Sequence, residues 1–68
     1  MDWLKIFANL LFILGEAVTK GSVRKAISAT HTLYNVTNAV RDYSQGNFSD
    51  LVVDTLGTAA SVYVLTKD

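Results

Sequence analysis

The stretch WLKIFANLLFILGEAV, Trp3 to Val18, decides how this chain is read. Placed at about 100° per residue, the step of an α-helix, its polar members and their neighbours collect together: Asp2, Lys5, Asn9, Glu16 and Lys20 form one narrow stripe. Trp3, Leu4, Ile6, Phe7, Leu10, Leu11, Phe12, Ile13, Leu14, Ala17 and Val18 occupy the rest of the cylinder. That apolar arc covers roughly two thirds of the circumference, where a surface helix of a soluble protein shows an arc of about 100° or a little more. Such a helix needs cover on most sides, and two neighbours from the same short chain cannot supply it. Other subunits or lipid should.

Working outward, glycines divide the 68 residues into three helical segments. The first spans about 2–20 and ends at Lys20-Gly21, a basic last turn followed by a residue suited to the left-handed cap. Ser22 can cap the second, which spans about 22–44 and stops at Gln45-Gly46. Asn47 or Ser49 opens the third, about 48–66, with Asp50 in its first turn where a negative charge meets the positive end of the helix dipole. Strand readings of Leu51 to Asp54 and Val62 to Leu65 lack a sustained alternation. The expected fold class is all-α: a small three-helix bundle, or a helical hairpin plus a third helix, in a single oligomeric domain.

The second helix reads as amphipathic. Val23, Ala26, Ile27, Thr30, Leu33, Tyr34, Thr37 and Val40 share one face, expected to meet the core, and Arg24, Ser28, His31, Asn35, Asn38 and Asp42 line the opposite one, expected to meet water. The third is broader. Phe48, Leu51, Val52, Thr55, Leu56, Ala59, Val62 and Tyr63 read as core-facing, Val53, Ala60 and Val64 extend that surface, and Asp50, Asp54, Gly57 and Ser61 form the polar side. The first and third helices thus carry more apolar surface than an antiparallel bundle requires. Their flanks, Trp3, Phe7, Leu11, Leu14, Val18, Val53, Gly57, Ala60 and Val64, are the expected interface.

Composition closes several routes. There is no cysteine, which removes disulfides and thiolate metal sites, and the one histidine is too few for a closed structural zinc site. Six basic residues balance six acidic ones, so neither a nucleic-acid footprint nor a polybasic patch is expected. No nucleophile, base and orienting group stand at a productive spacing, and the expectation is a non-enzyme without a cofactor. His31 reads as solvent-exposed, Asp50 and Asp54 as a capping and a solvated carboxylate, and Glu16 with Lys20 as a helical ion pair worth about 0.2 to 0.5 kcal/mol. Phe7, Phe12 and Phe48 read as core, with Trp3 over the open end; as subunit anchors, Trp3 and Phe7 would instead dominate a contact.

The small residues carry a second signal. Gly57 with Ser61, and Ala17 with Gly21, make strips on which another helix backbone can approach closely. Gly57 in mid-helix costs about 1 kcal/mol relative to alanine, so a close contact should offset it.

A lone transmembrane span is disfavoured for the first helix, which reaches only about 24 Å against a hydrocarbon thickness of about 30 Å and contains Lys5, Asn9 and Glu16. Insertion as an oligomer, with the polar stripes turned inward, remains open. Lys5, the run Ile6 to Leu14 and Gly15-Glu16-Ala17 outline a signal peptide only weakly, since Asp2 cancels the early positive charge.

Three functions are carried forward. The first is a structural or interaction protein that self-associates or docks into a larger assembly, a viral one included, through helices one and three. Next comes a membrane-active or membrane-embedded protein, holin-like or bacteriocin-like. Last is an inhibitor or immunity-type binder of one target protein. The expected partner is accordingly a homo-oligomer or larger protein assembly, with membrane contact as the alternative; cytoplasmic, virion and membrane-associated placements all fit.

Overall fold

A computed structural model describes residues 2–67. It consists of three helices and the short links between them: α1 (Trp3–Val18), α2 (Gly21–Gln45) and α3 (Phe48–Lys67). The all-α expectation holds, and the helix bounds fall within about two residues of those read from the glycines, the usual scatter of helix ends.

Local chemistry sets the ends. Asp2 caps α1, its carboxylate accepting the Leu4 N–H at 3.0 Å. The same residue donates its own N–H to the Asp50 carboxylate at 3.0 Å, fastening the start of α1 to the first turn of α3. At its other end α1 stops at extended Thr19, and Arg24 Nε of α2 donates to the carbonyl oxygens of Glu16 at 2.9 Å and Thr19 at 2.8 Å. A cation on those carbonyls opposes the negative end of the α1 dipole. Lys20 occupies the N-cap position of α2 without a side-chain cap, so Ser22 does not play that part. Gly46 closes α2 in the left-handed conformation, as expected, and its N–H returns to carbonyls of the last turn.

What differs from the sequence reading is which way the helices face. Among the described residues no hydrophobic side chain is buried. The interior is instead Lys5, Asn9, Glu16, Ser28, His31, Asn35, Asn38, Asp42, Asp54 and Ser61, with Gly57 among them. The faces of α2 and α3 assigned to the core point outward: Val23, Leu33, Val40, Phe48, Val52, Leu56, Val62 and Tyr63 are all exposed. Phe7 and Phe48 are exposed rather than core, at 59% and 67%, and Trp3 stands 73% exposed. His31 and Asp54, expected in water, have no exposure at all. Glu16 turns inward rather than toward Lys20.

The reason is visible in the stripes themselves. On each helix the polar residues occupy an arc of roughly 60–80° at about 100° per residue, narrow enough for three of them to close on one another. The apolar arcs are too wide to share a centre. Their inversion leaves the polar groups with hydrogen-bonding partners and the apolar surface outside.

Candidate functional site

The interior is a column of polar groups in three layers. At the end where α1 begins, the Lys5 ammonium sits between two carboxylates. It is ion-paired with Asp42 of α2 and stands 3.1 Å from Asp54 Oδ1 of α3. One cation facing two acids brings all three helices to a point. This arrangement uses the spacing of Lys5 from the Asp2 cap, which puts it one turn into α1 on the inward stripe.

The middle layer is built on Asn9. Its amide nitrogen donates to the Lys5 carbonyl at 2.9 Å, and its oxygen accepts from Asn35 Nδ2 at 2.8 Å. The same oxygen lies 2.6 Å from His31 Nε2. Because an amide oxygen only accepts, Nε2 is the ring nitrogen that carries hydrogen, and three partners fix the orientation of the amide. Gly57 of α3 backs onto this layer. A Cβ there would collide with Asn9 Oδ1 and lie 2.6 Å from Asn35 Nδ2, so the asparagines occupy the space that a side chain would take.

The third layer joins Glu16 to α2. Ser28 Oγ donates to Glu16 Oε2 at 2.7 Å, and His31 Nδ1 stands 3.3 Å from both carboxylate oxygens. Phe12 stacks on the ring with centroids 4.7 Å apart and an interplanar angle of 7°, covering the pair from the outside. Thr32 and Ser61 exchange a hydroxyl contact of 2.6 Å that ties α2 to α3 at the same level.

Not every polar atom is used. Asn35 Oδ1, Asn38 Nδ2 and Asp54 Oδ1 are buried without a hydrogen-bond partner, although Lys5 lies near the last of these. Buried polar groups cost free energy unless partnered, so a column of this size needs a reason. Outside the column, hydroxyls are quenched locally: Thr30 donates to the Ala26 carbonyl at 3.0 Å and Thr55 to that of Leu51 at 2.8 Å. Such back-bonding satisfies a hydroxyl on an apolar face.

Apart from Glu16, which lies in the last turn of α1, the acidic side chains of the helices are gathered at one end and most of the basic ones at the other. Lys20, Arg24, Lys25 and Lys67 lie where α1 finishes, α2 begins and α3 ends, while Asp2, Asp42, Asp50 and Asp54 lie at the opposite end beside Lys5 and Arg41. Between them the outer surface carries no charge from Ile6 to Gly15, Ala26 to Val40 or Thr55 to Thr66. The aromatic residues Trp3, Tyr43 and Phe48 ring the acidic end of that belt, and Tyr63 stands near the basic end.

Of the expected interface residues, Trp3, Phe7, Leu11, Leu14 and Val18 are exposed, and Val53, Ala60 and Val64 are half-buried. Gly57 belongs to the interior, not to an outer flank. The residues missed as a group were the inward column. Their signal is the narrow polar stripe on each helix, which on α2 the spacing alone gives to water. Among the described residues no cluster of histidine and carboxylates could hold a metal ion. Compared with known protein families, with characterised proteins and with solved structures, the chain matches none.

Proposed function

We propose that this chain is a small membrane-embedded protein of the membrane-active kind, holin-like or bacteriocin-like, whose apolar exterior faces lipid and whose polar column holds the helices together. The single observation that carries this reading is the inverted burial: polar and charged side chains inside, large hydrophobic ones outside. In water that arrangement forfeits the main driving force of folding. In lipid it is favourable, because interhelical hydrogen bonds, small residues and paired charges do the holding there.

Further support comes from dimensions and chemistry. α3 is long and apolar enough to cross a membrane, its 20 residues containing an 18-residue window with a mean hydropathy of 1.3. α2, with 25 residues, reaches about 37 Å at about 1.5 Å per residue. α1 is shorter than the bilayer core, and a short apolar segment is accommodated by local thinning or by snorkelling of flanking residues. Aromatic residues at both ends of the belt match the interfacial positions such rings prefer. Membrane activity follows from the column: if the helices part, or if several copies assemble, the stripes line a water-filled opening while the belt stays in lipid.

The test pairs flotation with leakage. Purified protein mixed with phosphatidylcholine vesicles is expected to float with them and to release an entrapped dye at low protein-to-lipid ratio. A defined multimer in plain buffer that ignores vesicles would instead support an assembly protein covering the same flanks with its own copies.

A further inference from the structure

We infer that the basic end of the bundle holds an anionic phospholipid, with an acyl chain in the groove between α1 and α3 and the headgroup phosphate at its cationic mouth. This rests on the membrane reading above and adds a lipid class and a place.

The groove lies between α1 and α3, near their C-terminal ends. Its volume is about 340 Å³. Ile13 and Ala17 of α1 form one wall, and Ala60 and Val64 of α3 the other. The two alanines leave the width that larger side chains would fill. A slot of this kind, apolar along its length and open along the bundle, fits a hydrocarbon chain.

The mouth has the opposite character. Arg24 and Lys67 border it, and Lys20 and Lys25 lie at the same end of the molecule. Arg24 is oriented by its Nε bonds to the Glu16 and Thr19 carbonyls. Lys67 is steered by Tyr63, its ammonium 5.5 Å from the ring centroid. Among the described residues one carboxylate also reaches the groove, that of Glu16, and it is already engaged by Ser28 and His31. Even with Asp68, which follows Lys67 in the sequence, set against them beside Glu16, the four cations Lys20, Arg24, Lys25 and Lys67 leave this end a net charge of +2. Basic pockets between transmembrane helices are the sites where anionic headgroups are taken up. A neutral zwitterionic lipid has the same chains but no net charge to match.

The experiment extracts the protein from vesicles of equal parts phosphatidylglycerol and phosphatidylcholine in mild detergent and identifies retained lipid by native mass spectrometry. Phosphatidylglycerol should be retained several-fold over phosphatidylcholine, and added inorganic phosphate should not displace it. Lys67→Gln, at an exposed position, should cut the preference with helicity unchanged. Ala60→Phe should abolish retention of either lipid by filling the groove. Equal retention of the two lipids, displacement by inorganic phosphate, or full retention by well-folded Ala60→Phe overturns the site. Cross-linking of Ala60→Cys to itself at high yield, which would place a second copy in the groove, overturns it too. If the protein fails to float with vesicles, the membrane reading has failed first, and that result is distinguishable from loss of lipid preference in a protein that does float.

Discussion

Gly57 of α3 has no side chain where Asn9 of α1 places its amide oxygen. The glycine's free space is the asparagine's position, and that one oxygen receives both Asn35 Nδ2 and His31 Nε2. The middle of the bundle closes around this exchange of volume.

Gly57→Ala sets two effects against each other. Helix propensity favours alanine by about 1 kcal/mol, and overpacking a filled interior costs about 1–3 kcal/mol. The collision falls on side chains pinned by hydrogen bonds, so the cost should win. Reversible unfolding in mixed micelles is expected to show a net loss of stability; a gain would mean that α3 does not approach α1 this closely.

Among the described residues Lys5 is the cation that stands between Asp42 and Asp54. Lys5→Met should destabilise the bundle by about 3–5 kcal/mol, the scale for leaving buried charge uncompensated. Adding Asp42→Asn and Asp54→Asn to Lys5→Met removes that charge, and most of the lost stability should return. Circular dichroism melts of the single and triple variants in detergent decide the matter, and no recovery in the triple variant would count against a charge-based anchor.

Glu16 and His31 should be energetically coupled. A double-mutant cycle with Glu16→Gln and His31→Leu is expected to give an interaction of about 1 kcal/mol, the range found between helices in membranes. Additive effects would show that the 3.3 Å contact contributes nothing.

How much of this was legible follows from the same residues. Helix number, the Gly46 boundary and the polar stripe on each helix could be read from spacing, whereas Gly21, read as the cap of the first helix, opens α2 instead, α1 having ended at Val18 with extended Thr19. The width of the apolar arc on α1 was legible too, although Phe7, read as core, stands exposed. What spacing does not carry is the identity of the solvent. A stripe such as Ser28, His31, Asn35 and Asp42 faces out in water and in toward partners in lipid, and the periodicity is identical in the two cases. The mutual fit of Lys5 with Asp42 and Asp54, or of Asn9 with His31 and Gly57, joins residues distant in the chain and appears only once the helices are packed.

Charge sorting predicts an orientation. With Lys20, Arg24, Lys25 and Lys67 at one end, the positive-inside bias places the link between α1 and α2 in the cytoplasm and the link between α2 and α3 outside. The chain has no cysteine, so single substitutions report cleanly. In intact cells an impermeant thiol reagent should label Asn47→Cys and spare Ser22→Cys until the membrane is opened. The reverse pattern would invert the orientation.

The inverted interior itself is tested most directly by asking which side chains touch lipid. Methyl groups of Leu10, Leu14, Val40 and Leu56 are observed by nuclear magnetic resonance in bicelles containing a spin-labelled lipid, together with protons of Ser28, Asn35 and Ser61. The account predicts strong relaxation of the methyls by the acyl-chain label and little effect on the polar set. A protein that is monomeric and folded in plain buffer, with those methyls shielded from a soluble paramagnetic probe and the polar set exposed to it, would contradict it.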